Sequence, residues 1–535
     1  MQGRNPYEAS SIIIEENNIL KLFSTYDLRS YPMYSIDLIQ DGMGGSLKEF
    51  EGYLGLNIEE SKIPFNINRK LTTKELEETL SYCHYDVDAT IELFKHRMGD
   101  IKAKMDLLTI FGLDKSYLDK TNAQLAAAIL QAKPVETNDE LEPFDFNQLD
   151  INLRETKGYV MPVGVDDFVK NADRIISMMT LEEYFGSTYD YDTQLIIEVV
   201  GVIHIVRFGG LHGAINNFIY EGELWVQDVE SYYPSMMIVY DFISRAIPEK
   251  LKGLFNDVYV DRLNAKHTND KRKSNALKLF INTVYGAMKA KFNELFDPHN
   301  SNNVCVSGQL MLIDLLEDLE PYITLVQSNT DGIVFIPHNK MAINMIVSDW
   351  EKRTKMNMEL TKCSAIYQKD VNNYILVHDD KSIEVKGAFV KQTTMNGHRP
   401  RDLRRTGKII DDAVVNYFVN NVPVRDTVMN CHELLDFQLI RKTGRSYDET
   451  VIVKDGVDIP IQKVNRLFAT IDSSWGQAFK VRHRTMTKPA KRDRYQSLPP
   501  HCALANDMQF DIRLLDREYY IREAERRIKA YSEGE

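Results

Sequence analysis

The stretch Asp228-Val229-Glu230-Ser231-Tyr232-Tyr233-Pro234-Ser235 constrains this chain more than any other. It follows Glu223-Leu224-Trp225-Val226-Gln227, whose apolar and aromatic residues read as a buried strand. Pro234 lacks an N–H and cannot continue a central strand, so the strand is expected to stop before it. An acid therefore stands at the tip of a buried strand, beside a turn and a tyrosine. Such a carboxylate is either a solvated loop residue or a metal ligand, and the rest of the chain has to separate the two.

Another acid stands in a similar place. The run Ile323–Val326 leads into Gln327-Ser328-Asn329-Thr330-Asp331-Gly332, and Ile333-Val334-Phe335 follows. This reads as a hairpin turning at Asp-Gly, with Asp331 at a strand end. Between the two acids lies Lys278-Leu279-Phe280-Ile281-Asn282-Thr283-Val284-Tyr285-Gly286. On a helix Lys278, Asn282 and Tyr285 share one face. A cation, an amide and an aromatic on one face suit phosphates and a base pair. The plainer reading puts Val284 and Tyr285 in the core and Lys278 in solvent. Two carboxylates on neighbouring strands can hold two divalent cations about 3.5–4 Å apart, the arrangement for phosphoryl transfer. Mg²⁺ prefers such hard oxygen ligands.

Composition bounds the alternatives. A chain of 535 residues exceeds one small domain. It has no run of about 18 apolar residues, so no membrane span is expected. Its start, Met1-Gln2-Gly3-Arg4-Asn5-Pro6, does not read as a secretory signal. Cys83, Cys305, Cys363, Cys431 and Cys502 lack metal-ligand spacing, which fits reduced thiols in a cytoplasm-like compartment. The net charge of −13 argues against a protein that merely coats nucleic acid. Two local basic patches remain. One holds Arg399, Arg401, Arg404, Arg405 and Lys408; the other holds Arg482, Arg484, Lys488, Lys491, Arg492 and Arg494.

Along the chain, Leu71–Met98 reads as a helix capped by Thr72 or Thr73, with Leu76, Leu80, Cys83, Val87, Ala89 and Leu93 on its apolar face. Lys102–Ala132 also reads as helical, and Pro134–Asp150 as an acidic linker. Leu181–Phe185 and Gln194–Val206 are apolar, the latter strand-like from Leu195. Arg207-Phe208-Gly209-Gly210-Leu211-His212-Gly213-Ala214 is either a loop or a close approach to another backbone. Val258–Leu279 reads as a helix continuing to Tyr285, and Asn302–Leu319 and Leu514–Tyr531 as further helices.

The stretches at Asp228, Lys278 and Asp331, in this order and spacing, resemble the three polymerase motifs of the family B DNA-dependent DNA polymerases. The stretch at Asp228 is similar to D-x-x-S-L-Y-P-S. The stretch at Lys278 is similar to K-x-x-x-N-S-x-Y-G, with Thr283 for Ser. The stretch at Asp331 is similar to a motif whose usual core is D-T-D-S, with Asn329 at the first Asp. The resemblance covers about Arg207 to Phe389, and it points to the phage and prophage replicative enzymes in particular.

It implies a multidomain α/β (α+β) fold. A right-hand polymerase of palm, fingers and thumb would follow a partial RNase H-like exonuclease domain. The implied boundaries are 1–100 for the partial 3′–5′ exonuclease, 101–200 for a connecting region, 201–250 for palm, 251–300 for fingers, 301–396 for palm and 397–535 for thumb. Asp228 and Asp331 would be the catalytic, metal-binding carboxylates for two Mg²⁺ ions, with Mn²⁺ as a substitute, assisted by the carbonyl of Val229. Tyr233 would stack under the sugar of a dNTP and exclude a 2′-hydroxyl. Lys278 would bind the triphosphate, helped by Lys266, with Lys271 and Arg272 as competitors for that assistance. Asn282 and Tyr285 would border the nascent base pair.

Primer–template DNA would meet Lys386 of Lys386-Gly387-Ala388-Phe389, a loose match to K-x-Y, and the Phe208-Gly209-Gly210 loop, a loose match to Y-x-G-G. Arg401, Arg404, Arg405, Arg482 and Arg484 would grip duplex phosphates. Only about 50 residues separate Asp228 from Lys278, and about 45 separate Gly286 from Asp331. Protein-primed phage polymerases carry insertions there. Ordinary primer use and weak unaided strand displacement are therefore expected, in the cytoplasm, or in the host cytoplasm for a phage-encoded chain.

Upstream, Tyr82 and Asp86 fit the third exonuclease motif, Y-x-x-x-D. The family's earlier D-x-E strand has no counterpart: Asp37 and Asp41 are candidates by composition only, and Glu15-Glu16 does not give D-x-E. Asp86 alone cannot hold two metals. The chain is thus expected to lack 3′→5′ exonuclease activity alone, with a separate upstream polypeptide as a candidate partner at an exposed sheet edge and apolar patch in the first 100 residues. A non-catalytic DNA-binding or accessory subunit and a nuclease of the same ancestry are the competing readings.

Overall fold

The computed structural model describes residues 45–64, 69–136, 142–165, 167–187, 191–387, 406–484 and 488–533, with Ile67 and a few positions before 45. Glu15, Glu16, Asp41, Phe389, Arg401, Arg404 and Arg405 lie outside the described residues. Within them the chain is mixed α and β, organised on one large antiparallel sheet. Its strands are β1 (Lys157–Pro162), β2 (Ser177–Thr180), β3 (Thr193–Val199), β4 (Val202–Val206), β5 (His212–Ala214), β6 (Phe218–Val229), β7 (Ile323–Asn329), β8 (Gly332–Pro337), β9 (Met358–Asp370), β10 (Asn373–His378) and β11 (Ile383–Lys386). They lie in the order β11-β10-β9-β6-β8-β7-β5-β4-β3-β1-β2. The strand bearing Asp228, β6, is therefore central, between β9 and β8.

Helices α1 (Leu47–Tyr53), α2 (Thr73–His96), α3 (Met98–Ile110) and α4 (Asn122–Ile129) precede the sheet, and α5 (Leu181–Phe185) follows β2. Between β6 and β7 come α6 (Tyr232–Val239), α7 (Glu249–His267), α8 (Lys271–Met288) and α9 (Pro298–Leu319); α10 (Lys340–Thr354) follows β8. Helix α9 is buried along nearly its whole length. Its Leu312, Ile313 and Leu316 share one core with Trp225 and Phe335 of the sheet and Phe280 of α8. This buried helix is the support on which the two acid-bearing strands rest. Asp297 starts it by accepting from Asn300 N–H and from the Arg245 guanidinium, and Pro298 takes the first turn, where a missing N–H costs nothing.

The C-terminal part has α11 (Lys408–Asn420), α12 (Val424–Asn430) and α13 (Arg517–Ser532), with β12 (Leu439–Lys442), β13 (Glu449–Lys454), β14 (Val457–Ile461), β15 (Val464–Ala469), β16 (Trp475–Arg482), β17 (Lys491–Arg494) and β18 (Cys502–Leu504). These strands form two further sheets, β12-β15-β18 and β14-β13-β16-β17. The N-terminal helices do not stand apart from this region. Phe50, Tyr53, Ile58 and Leu93 pack with Ile440 and Val464. The fully buried Arg466 donates to the carbonyls of Gly52 and Leu56.

The structure revises three expectations and assigns the apolar run Leu181–Phe185. The helix read through Val258–Tyr285 is two helices: the chain turns at Thr268–Asp270, and Asp270 caps α8 through Lys273 N–H. Lys102–Ala132 is interrupted after Ile110, and Thr121 caps a new helix with Gln124 in a capping box. Leu181–Phe185 is a helix, because Thr180 and Glu183 form a capping box. Thr72 caps α2 as expected, but of its apolar face only Ala89 and Leu93 are buried. Leu76, Leu80 and Val87 are 49, 52 and 58% exposed, joined by Ile91 at 45%.

Candidate active site

The two acids meet where β6 ends beside the β7–β8 turn. Asp228 pairs with Gly332 across the β6–β8 ladder, and Val229 N–H donates to the Asp331 carbonyl at 2.8 Å. The turn is only Thr330-Asp331, with Thr330 in the left-handed region at φ 64°. A β-branched residue is strained there, and its surroundings hold it. Thr330 N–H donates to the Leu211 carbonyl at 2.8 Å, and a Cβ at Gly210 would lie 2.4 Å from Thr330 Oγ1. The glycine loop is therefore a close approach to the turn bearing Asp331. Phe208 beside it packs against Tyr191, with ring centroids 4.4 Å apart and the rings tilted by 46°.

Asp228 and Asp331 line a cavity of about 350 Å³. Burial, then the Asp331 charge, then Glu384 and Glu359, push Asp228 up to about 7. Burial also raises Asp331, against its own turn hydrogen bond and the Lys386 ammonium. Two partly buried acids forced together are poised to take up cations. Among the described residues no three carboxylate, histidine or cysteine side chains converge into a ready-made metal cage. Asp228 and Asp331 would thus supply two oxygen ligands, leaving the rest to backbone, water and substrate phosphate, which fits Mg²⁺.

Cations line the same cavity. Lys266 of α7 lies 3.1 Å from Glu230 and 2.6 Å from Glu359, the residue paired with Asp228 across β6–β9. Arg262, one turn earlier on α7, donates to the Ser231 hydroxyl. Ser231 itself sits in the left-handed region at φ 50°, where β6 gives way to α6, so Pro234 falls in the first turn of a helix. Of the cations expected to assist at the triphosphate, Lys266 reaches the cavity. Arg272 is turned away to Asp106 of α3, 2.7 Å from its Nε, and Lys271 stands exposed at the start of α8.

On α8, Val284 is core while Lys278 and Asn282 are exposed, outside the cavity lining. Tyr285 is partly buried, and its ring lies 4.6 Å from that of Tyr233. The aromatics of the first two motifs therefore touch. Tyr285 also meets Cys305 of α9, Oη to Sγ 2.9 Å. Lys386 lines the cavity from β11, and its aromatic partner is Tyr374, opposite it on β10 with the ammonium 5.8 Å from the ring centre. Arg482 and Arg484 lie at and just beyond the end of β16, away from this cavity, and Arg482 donates to the Pro489 carbonyl.

Tyr82 and Asp86 do come together on α2, but around a lysine. Lys48 Nζ is 2.5 Å from Asp86 and 2.8 Å from Glu51, and 4.8 Å from the Tyr82 ring centre.

Sequence reasoning missed Arg262, Glu359, Tyr374 and Glu384. Arg262 had a signal, since it precedes Lys266 by four residues and so shares its helix face. The other three are brought to the cavity by strand pairing alone.

No protein-family profile matches the chain. A stretch of 156 residues, 26% of this chain, is 24% identical to DNA polymerase 1 of Saccharolobus solfataricus and covers 18% of that protein. The chain thus spans less than a fifth of the curated relative that it matches, and the match relates it distantly to DNA polymerases. Among solved structures, the family B DNA polymerase from the hyperthermophilic archaeon Pyrobaculum calidifontis is similar at a TM-score of 0.42 and 12% identity, over 86% of this chain and 57% of that one.

Proposed function

We propose that this chain is a template-directed DNA polymerase of the family B type that extends a primer 3′-hydroxyl with dNTPs. The observation that carries the reading is the convergence of Asp228 and Asp331 at one cavity that Arg262 and Lys266 also line. Two divalent cations held by those acids would activate the attacking hydroxyl and stabilise the departing pyrophosphate. Asp228 and Asp331 hold and neutralise; Arg262 and Lys266 orient a triphosphate; Tyr233, backed by Tyr285, forms an aromatic floor for the sugar. In this reading the large sheet is palm, α7–α8 fingers and the C-terminal sheets thumb, with Lys278 and Asn282 meeting substrate from the exposed face of α8. Primer extension by wild type, D228A and D331A in Mg²⁺ and in Mn²⁺ tests it. Extension by wild type alone supports it, and equal extension by all three sinks it.

The region around Asp86 is proposed to be an exonuclease remnant without activity. Lys48, an internal cation between Asp86 and Glu51, supports this, because a metal would have to displace it. The exposed stripe Leu76, Leu80, Val87 and Ile91 supports an upstream polypeptide as its partner. Digestion of single-stranded DNA by the purified chain, lost in D86A, would overturn the first point.

A further inference from the structure

Asn329 stands where an acid would bring a third charge beside Asp228 and Asp331. Its side chain is engaged elsewhere. Nδ2 donates to the carbonyl of Val371 at 3.1 Å, across 42 residues of sequence. Val371 is in the turn between β9 and β10. Strand β9 lies three positions from β7 in the sheet order. On a flat sheet that separation would be about 14 Å. The sheet therefore curls until its β9–β10 end closes over the acids, and Asn329 bonds across the closure. Further from the acids, Gln368 donates to the Ile215 carbonyl and Asn217 N–H donates to the Lys369 carbonyl, which hold the strand but not the turn.

The turn is itself rigid. Asp370 accepts from Asn372 N–H at 2.9 Å and from Asn373 Nδ2 at 2.8 and 3.0 Å. Gly387 is packed against it at φ 120°, where a Cβ would lie 2.5 Å from the Asn372 carbonyl oxygen and 2.3 Å from Asn373 Oδ1. Lys386 precedes that glycine, and Tyr374 follows Asn373. The β9–β10 turn thus joins Asn329, two residues from Asp331, to the lysine and tyrosine of the cavity wall.

We propose that Asn329 is a positioning residue, which ties the β9–β10 turn to the β7–β8 turn and so sets Lys386 and Tyr374 over Asp228 and Asp331. An aspartate there would set an acceptor against the Val371 carbonyl, and would add a negative charge to a cavity that already holds Glu359 and Glu384. The asparagine is then a requirement of this particular closure. It is not a lost ligand that mutation could restore.

The inference rests on the polymerase reading only for what Lys386 touches. The test compares N329D, which keeps the shape and adds charge, with N329A, which removes the donor without charge. Both are expected to speed backbone hydrogen exchange in residues 370–387 of the full chain. Both are expected to weaken primer–template binding about tenfold, the value of one lost buried hydrogen bond, with KM for dNTP unmoved. N329D is expected to be no more active than N329A in Mg²⁺. Unchanged exchange in both variants overturns the inference, and so does an N329D that exceeds wild type in kcat or needs less Mg²⁺. If wild type extends no primer with either metal, the polymerase reading fails, and the exchange comparison still decides the role of Asn329.

Discussion

Gly332 faces Asp228 so closely that a Cβ on it would lie 1.8 Å from Asp228 Oδ1. The glycine after Asp331 is thus a condition for the position of the other acid. Gly332→Ser, which installs the residue usual in the D-T-D-S pattern, is expected to turn the Asp228 carboxylate away. The expected effect is a drop of at least about tenfold in kcat with little change in primer binding. Steady-state extension assays check it, and an unimpaired G332S would show that Asp228 has room to spare.

Asp228 has a folded-state value of about 7 against an ordinary 3.8. A raised carboxyl binds its proton more tightly when folded, so its stabilising contribution is full below about 4 and is lost as pH rises through about 7. Divalent metal binds the ionised form, so metal affinity should rise over the same interval. Metal-free wild type is expected to lose thermal stability relative to D228N between about pH 4 and pH 7. Activity in D228N should fall about 10³-fold. Paired melting curves read the first, and a constant difference between the two proteins across that range would refute it.

Lys266 is held by Glu230 and Glu359. On the proposed polymerase reading an incoming triphosphate would replace those carboxylates. K266A is therefore expected to raise KM for dNTP about tenfold. E230Q should lower it about two- to threefold, by the strength of one partly exposed ion pair. Measurements at saturating primer–template separate these outcomes, and an unchanged KM in both variants would remove Lys266 from the triphosphate site.

Arg482 ends β16 of a separate sheet and Arg484 lies two residues beyond it, with Lys491, Arg492 and Arg494 on the neighbouring strand β17. Contacts with duplex phosphates there should be independent of sequence. Each alanine substitution is expected to weaken primer–template binding uniformly and to lower the slope of log affinity against log salt by about one. Binding titrations between low and moderate salt on two unrelated duplexes check this, and an unaltered slope would assign these arginines to ordinary surface.

Much of the site was legible because it rests on local rules. β6 stops before Pro234, Asp331-Gly332 lies at a hairpin turn, and Lys278, Asn282 and Tyr285 repeat at helical spacing. Each follows from backbone sterics and side-chain period, which neighbours in sequence settle among themselves. The same rules failed where a cap competed with periodicity. Asp270 broke one long helix, and Thr121 with Gln124 started a new helix inside the run read as Lys102–Ala132.

By itself the sequence determined which two acids stand at strand tips and which chemistry such a pair can serve. Only the tertiary structure decided what surrounds them. It brought Lys266 and Arg262 to the cavity, turned Arg272 to Asp106, and gave Asn329 a bond to Val371. It also left the apolar face of α2 in solvent, although its period promised a core. The physical reason is distance along the chain. Lys266 and Glu359 are 93 residues apart and Asn329 and Val371 are 42 apart. Such pairs meet only through ladder register, the curl of the sheet and the packing of buried α9 beneath it, none of which is written in a local pattern.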